Sequence, residues 1–228
     1  MTVTLTQSRL EERLGELAGQ RYHHRHPFNL RMHEGRLTPT ELRRWVLNRF
    51  HYQRYIPVKD ALILTKLESA EQRRSWIRRI QEQDGTEADP GGLERWLRLG
   101  EAVGLERAEL LAGTGVLPGV RFAVGGYVGF VRDAGPLAAV ASSLTELFAP
   151  ELMMTRIAAW EKHYPWIEPG GLRYFQTRVV QGRRDAREAI DLVHRWTRTE
   201  ADEQAVLAAF TLKCDVLWSL LDAVDHVG

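Results

Sequence analysis

The chain has 228 residues, 44% of them apolar, enough for the core of one large domain. Lys and Arg number 31 against 30 Asp and Glu; the net charge of +1 supplies neither the basic field of a nucleic-acid binder nor the acidic excess of a disordered chain. A single cysteine, Cys214, excludes an internal disulfide framework and a multi-cysteine metal site; it reads as a small buried hydrophobe and fits a reducing compartment.

MTVTLTQSRLEERLGELAG carries charges where a signal peptide would carry its apolar run, and the apolar stretch VRFAVGGYVGFVR is interrupted by Arg121 and Arg132. The expectation is a soluble cytoplasmic protein without a membrane span. Leu10, Leu14 and Leu17 keep a helical period in a first segment that runs out into RYHHRHPF before Pro27. In LTPTEL, Thr38, Pro39 and Glu41 are an N-cap, a first-turn proline and a capping-box carboxylate, so a helix starts near 39 and carries WVLNRFHYQ. After Pro57, VKDALILTKL reads as a short separate helix, and Trp76, Ile77 and Ile80 mark the next, up to Asp84 and Gly85.

Leu93, Trp96, Leu97 and Val103 pattern a helix after TEADPGG, with a shorter one from Leu105 to Leu111. Pro118 opens a helix through VRFAVGGYVGFVR, Pro136 another through LTELF, and Pro150 a third through ELMMTRIAAWEKHY. Helices at Gly171–Gln181, Asp185–Arg198 and Ala201–Val227 follow, the last predicted longest, with Val206, Phe210, Leu217, Leu220 and Val224 on one face. No segment alternates with period two, no repeat recurs and no linker is long, so the predicted fold is an all-α, compact, single-domain helical bundle over 1–228.

Polar groups fall repeatedly on the apolar stripes. Arg49 and Gln53 share the face of Trp45, Val46 and Phe50; Arg79 and Gln83 follow Trp76; Tyr174, Arg178 and Gln181 share a face; Lys213 stands in line with Phe210 and Leu217. A buried unpaired cation costs several kcal/mol, so these four cations require partners. The internal acids on similar faces are Glu146 and Asp84, which leaves positive charge over, and a ligand with several carboxylates would balance it.

YHHRHP packs three histidines into positions 23–26, but its spacing does not suit a metal, and His23 is the better candidate for a single acid, base or hydrogen-bonding group. No phosphate loop, GxSxG elbow or Cys/His dyad is visible. Gly125, Gly126 and Gly129 each cost about 1 kcal/mol inside a helix, so close helix packing or close ligand approach is expected there.

YHHRHPFNLRMHEG, WVLNRFHYQRYIPVKDA, RRSWIRRIQEQDG, GGLERWLRLGEAVGL, LPGVRFAV, SSLTELFAP, HYPWI and LKCDVLWSLLDA, taken in order over nearly the whole chain, resemble the pyrroloquinoline quinone (PQQ) synthase C family. The resemblance implies a heme-oxygenase-like and thiaminase II-like bundle, usually a homodimer. It also implies the last step of PQQ biosynthesis: ring closure and eight-electron oxidation of a tricyclic polycarboxylate precursor by O2, releasing H2O2, with no metal or organic cofactor. Other PQQ biosynthesis proteins are implied partners, and no nucleic acid or membrane.

Carried over by position, the resemblance makes His23, Tyr127, Glu146, Tyr174 and Arg178 the catalytic set, and Arg49, Gln53, Arg79, Gln83, Thr145, Met153, Arg156 and Lys213 the substrate-binding set. Arg49, Arg79, Arg156 and Lys213 would hold carboxylates and quinone oxygens, and Tyr174 with Arg178 would lie beside the oxygen site. Two departures bear on proton transfer: the family has histidine where this chain has Gln83 and where it has Met153. His51 stands for a usual tyrosine, and the chain stops soon after LLDAVDHVG, short of the usual tail. A paralogue oxidising a related polycarboxylate and a non-catalytic carrier of PQQ or its precursor are the alternative readings. A di-iron centre is opposed by a guanidinium at Arg178, among the helical positions its ligands would need.

Overall fold

The computed structural model describes residues 2–226, with side chains from 9 to 226. Among them the chain is all-α: α1 (Thr2–Arg21), α2 (Pro27–His33), α3 (Pro39–Leu64), α4 (Ala70–Asp84), α5 (Gly91–Ala102), α6 (Arg107–Ala112), α7 (Pro118–Asp133), α8 (Pro136–Ala141), α9 (Ala149–His163), α10 (Arg173–Trp196) and α11 (Glu200–Asp225). Short 3-10 turns at His23–Arg25, Leu144–Leu147 and Pro169–Leu172 join them.

α3 begins as its capping box requires: Thr38 Oγ1 accepts from the Glu41 amide and the Glu41 carboxylate accepts from the Thr38 amide at 2.7 Å. It does not end at Pro57. One 26-residue helix runs through it to Leu64, because Lys59, Asp60 and Ile63 beyond the proline remain on the buried face and outweigh one missing backbone bond. α10 is likewise one helix of 24 residues where two were expected, which brings Asp185 onto the face of Arg178 and Gln181. α2 was not foreseen; Pro27 at its first turn and His26 Nδ1, which accepts from the Phe28 amide at 3.0 Å, start it. The helix from Pro136 stops at Ala141, and LTEL forms a 3-10 turn instead. α11 is no longer than α3, at 26 residues, and the expected end at Val227 lies outside the described residues.

Two further expectations fail. Ile77 is 39% exposed, since Trp76, Arg79 and Gln83 take the inner face of α4. At Gly125, Gly126 and Gly129 an added Cβ would meet nothing within 4 Å, so close helix packing within the chain does not explain them; Val124, Tyr127 and Val131 form the buried face of α7.

α11 packs against α1, α3, α7 and α8, α10 against α5, α8 and α9, and α3 against α4, α5 and α7. Cys214 is a free, buried thiol on α11. Pro136–His163 and Glu200–Asp225 reach mean hydropathies of 1.2 and 1.4, long and apolar enough to cross a membrane, but each is half buried inside the bundle, as core helices are. An aromatic core joins α3, α5, α9 and α10: Trp45 lies 5.6 Å from Trp96 and 5.9 Å from Trp160, and Trp160 lies 5.5 Å from Phe175.

The α4–α5 connection closes on Gly91, whose φ of +79° belongs to glycine and whose added Cβ would sit 2.4 Å from the Gly85 amide nitrogen. Gly91→Ala is expected to cost roughly 2 kcal/mol or more and lower the melting temperature by roughly 4–8 °C. A calorimetric melt superimposable on that of the parent protein would refute this.

Candidate active site

Polar side chains from seven helices and two 3-10 turns meet inside the bundle. At one end, buried His23 stacks edge-on to Tyr22 at 4.5 Å, and its carbonyl accepts from Asn29 Nδ2 at 2.8 Å. Asn29 Oδ1 in turn accepts from Arg156 Nη2 at 3.2 Å, and the Arg156 guanidinium lies 4.9 Å from the Trp45 ring and 5.5 Å from the Phe175 ring. Met153 Sδ is 4.0 Å from Arg156 Nη1. Half-buried Arg49 rests on the Tyr52 ring at 4.1 Å.

At the middle, Gln53 Oε1 accepts from Tyr174 OH at 2.9 Å and from Gln83 Nε2 at 3.3 Å. The Gln83 amide fits only because position 92 is glycine: an added Cβ there would lie 1.9 Å from Gln83 Oε1. Lys213 Nζ donates to Tyr52 OH at 2.5 Å and sits 3.4 Å from the centre of the Tyr127 ring. Tyr127 OH meets Ser142 Oγ at 3.3 Å. At the other end, Arg79 Nη1 pairs with Glu146 Oε2 at 2.8 Å, Arg79 Nη2 donates to the Asp185 carbonyl, and Arg178 Nη2 reaches Asp185 Oδ2 at 3.3 Å. Thr145 is buried one residue before Glu146 on the same turn.

These groups feel one another. Arg49 acts electrostatically on Tyr22, His23, Tyr52, Arg156, Tyr174 and Lys213, and Glu146 on Tyr52, Arg79, Tyr127, Tyr174, Arg178 and Lys213. All thirteen sequence-nominated positions therefore gather in or beside one cluster. Burial raises the phenols of Tyr22, Tyr52, Tyr127 and Tyr174, which keeps them neutral hydrogen-bonding groups near neutrality. Burial, then Arg49, pushes Arg156 down to about 9, so it still carries its charge at neutral pH. Burial, with Lys59 and Arg49 alongside, drives Lys213 well below the ordinary lysine value.

The acids balancing this charge were only partly foreseen. Asp84 is exposed and takes no part. Asp60 and Asp185 are buried instead. Burial alone would raise the Asp185 carboxyl, but Arg79 and Arg178 outweigh it and hold it below the usual range. Asp60 pairs with Lys59 at 2.6 Å. Among the described residues no carboxylate pairs with Arg49, Arg156 or Lys213, and each faces aromatic rings. Besides Asp60 and Asp185, the sequence reading missed Tyr22, Asn29, Tyr52 and the Ser142–Ser143 pair. A continuous helix through Asp185 would have shown it at i+7 from Arg178; Asn29 carried no periodic signal.

A cavity of about 460 Å³ adjoins the cluster, lined by Tyr22, His24, His33, Phe148 and Leu152 among others, with Tyr22 as the shared wall. Among the described residues no three His, Cys, Asp or Glu side chains gather as a metal-binding group. The arrangement can hold several anionic groups at once against Arg49, Arg156 and Lys213, and presents neutral tyrosines and a histidine for proton transfer.

Residues 13–223 match the model of the TENA/THI-4/PQQC family. A pyrroloquinoline-quinone synthase from Gluconobacter oxydans (strain 621H) is 45% identical over 97% of this chain and 93% of its own length. Another, from Pseudomonas aeruginosa (strain LESB58), is 48% identical over 91% of this chain and 83% of its own. The crystal structure of a domain with a heme oxygenase-like fold from Shewanella denitrificans OS217 superposes with a TM-score of 0.75 at 14% identity, covering 98% of this chain and 92% of that one.

Burial, with Arg49 and Arg156, holds His23 well below its ordinary 6.5, so the folded chain refuses a proton that the unfolded chain takes up. Stability therefore falls as pH drops below 6.5, and the loss continues until the low folded value is reached. Denaturant unfolding at about pH 7.5 and about pH 5 should show this loss reduced in His23→Gln. The depressed His24, His33 and His51 contribute alike to both proteins, so equal slopes would remove the assignment.

Proposed function

Because the chain belongs to the TENA/THI-4/PQQC family, we propose that it is a pyrroloquinoline-quinone synthase. In this reading it closes the last ring of a tricyclic polycarboxylate precursor and passes eight electrons to O2, releasing PQQ and H2O2. The observation that carries the proposal is the trio Arg49, Arg156 and Lys213, buried or half-buried basic groups with no carboxylate partner among the described residues, in a chain 45% identical to a synthase of this name. A carboxylated substrate supplies the missing negative charge.

Arg49, Arg156 and Lys213 hold the carboxylates, and Gln53, Gln83 and Thr145 hydrogen-bond the ring substituents. Arg79 is partly committed to Glu146 and Asp185, which leaves it a smaller share of the substrate charge than the other three. Arg178 and Tyr174 lie beside the oxygen site, where a fixed guanidinium stabilises the superoxide or peroxide that forms as a substrate carbanion gives up electrons. His23, Tyr127 and Glu146 move protons. Met153, against Arg156, contributes packing rather than a proton.

No metal or organic cofactor takes part in this proposal: a site walled by Arg49, Arg79, Arg156 and Arg178 repels a dication, and the electrons go directly to O2. The protein works as a cytoplasmic homodimer, alongside other PQQ biosynthesis proteins. The face of α7 and α11 around Phe122, which is 85% exposed, supports the self-association.

Metal-free protein mixed anaerobically with the precursor and then pulsed with O2 is expected to form PQQ and peroxide together, followed by absorbance. Precursor binding without any oxidation would favour the carrier reading, and oxidation only of a related polycarboxylate the paralogue. Arg178→Ala is expected to retain precursor binding and slow O2 consumption by roughly 100-fold or more, the scale of losing one stabilising donor. Unchanged O2 consumption would remove Arg178 from the oxygen site. Met153→His is expected to raise turnover if proton supply limits the reaction, and a pH profile identical to the parent's would show that position 153 has no part in it.

A further inference from the structure

Asn29 has no part in the reaction described above, yet it is a fully buried polar side chain on α2, set between His23 and Arg156. Its Nδ2 donates to the His23 carbonyl at 2.8 Å and lies 3.3 Å from His23 Nδ1, and its Oδ1 accepts from Arg156 Nη2 at 3.2 Å. The helix that carries it is tied down at both ends. His26 Nδ1 accepts from the Phe28 amide, His26 Nε2 meets Asp222 Oδ1 at 3.0 Å, and Arg31 pairs with Asp225. Packing alone would be served by an apolar side chain of similar volume, which would leave Arg156 Nη2 and the His23 carbonyl without this partner.

The direction of this amide is fixed from both sides. A guanidinium only donates, so the atom facing Arg156 is the amide oxygen; a backbone carbonyl only accepts, so the atom facing the His23 carbonyl is the amide nitrogen. The second Nδ2 proton is then the one available to His23 Nδ1 at 3.3 Å, and a ring nitrogen that meets an N–H presents a lone pair. A proton on Nδ1 would set donor against donor, in the Nδ1–H tautomer and in the imidazolium alike. The ring is therefore held neutral with its proton on Nε2, in agreement with burial, Arg49 and Arg156, which all oppose a charge there.

We propose that Asn29 is a positioning residue that sets the Nε2–H tautomer of His23 and so makes that ring a hydrogen-bond donor to an anionic oxygen of the substrate. With Nδ1 occupied, the ring has no lone pair to offer as a base. Its part in proton movement is to steady the oxygen that gains negative charge when a proton leaves or electrons arrive. A carboxylate or enolate oxygen is the kind of group this suits, because Arg49 and Arg156, which act on His23, favour the same negative charge. One buried amide thus orients a neutral donor and a cation together. The catalytic part of this inference rests on the synthase reading; the tautomer does not.

Two readouts keep these apart. In ligand-free protein labelled with 15N-histidine, the long-range 1H–15N correlations of His23, assigned by their loss in His23→Gln, are expected to show a protonated Nε2 and a bare Nδ1 near neutrality. Asn29→Asp, whose carboxylate only accepts, is expected to place a proton on Nδ1, and Asn29→Ala to give a mixture of tautomers. A parent His23 protonated on Nδ1 overturns the proposal without any variant, and an unchanged Nε2–H pattern in either variant overturns Asn29 as the group that sets it. In turnover with the PQQ precursor, Asn29→Ala is expected to lower kcat by roughly 10-fold or more, the scale of a weakened oxyanion donor, and to raise KM through Arg156. In a His23→Gln background the same change is expected to move kcat by less than about twofold, because its effect passes through the ring, while KM still rises. Equal kcat losses in the two backgrounds are what a merely structural residue would give, and they overturn the positioning role. If the parent protein converts no precursor, the synthase reading fails while the Nε2–H assignment stands on its spectrum.

Discussion

Positive charge without an internal partner organises this bundle. Arg156 lies between Trp45 and Phe175, Lys213 over Tyr127 and Tyr52, and Arg49 over Tyr52. Aromatic faces soften the cost of burying a cation but do not cancel it, since such a contact is worth about 0.5–2 kcal/mol and desolvation costs more. The aromatic core of α3, α5, α9 and α10 therefore does two things at once: it supplies the apolar area that folds the bundle, and it keeps three cations poised toward one space. Removing either function would change both fold and binding.

The charges on the far side are treated differently. Arg79 and Arg178 share Glu146 and Asp185, and Lys59 has Asp60. The cluster thus has a neutralised half and an electropositive half, a gradient suited to a substrate whose carboxylates enter one side while its reacting carbons face the other. Gln53, bridging Tyr174 and Gln83 between the halves, fixes the seam with neutral hydrogen bonds that neither charge nor titrate near neutrality.

Much of this was legible because helix periodicity and caps are local. Thr38, Pro39 and Glu41 located the start of α3, and the polar intrusions at Arg49, Gln53, Arg79 and Lys213 stood out against apolar stripes. What failed was non-local. Pro57 reads as a helix breaker because the cost of its missing amide is local, whereas the packing of Lys59, Asp60 and Ile63 that carries α3 through is tertiary. The split drawn through α10 hid Asp185 in the same way, and Asp84, an acid at a helix end, lies in solvent because α4 stops there at the Gly85 turn. Family resemblance, not periodicity, identified Tyr127, Thr145 and Arg156, whose positions carry no pattern distinguishing them from core residues.

The replacement of two expected histidines by Gln83 and Met153 acquires a physical meaning from their surroundings. Gln83 is not a loose substitute: Gly92 leaves room for its amide, and its Nε2 completes the acceptor Gln53 Oε1 that also receives Tyr174. Met153 lies beside Arg156, where a neutral thioether adds no positive charge to a guanidinium that burial and Arg49 already press toward deprotonation. A second cation there would deepen the like-charge cost that substrate must offset. Burial keeps His23 and the phenols of Tyr127 and Tyr174 uncharged near neutrality. A proton given or taken by any of them changes its charge by one unit, so proton transfer in this cluster is coupled to the charge balance that Arg49, Arg156 and Glu146 set.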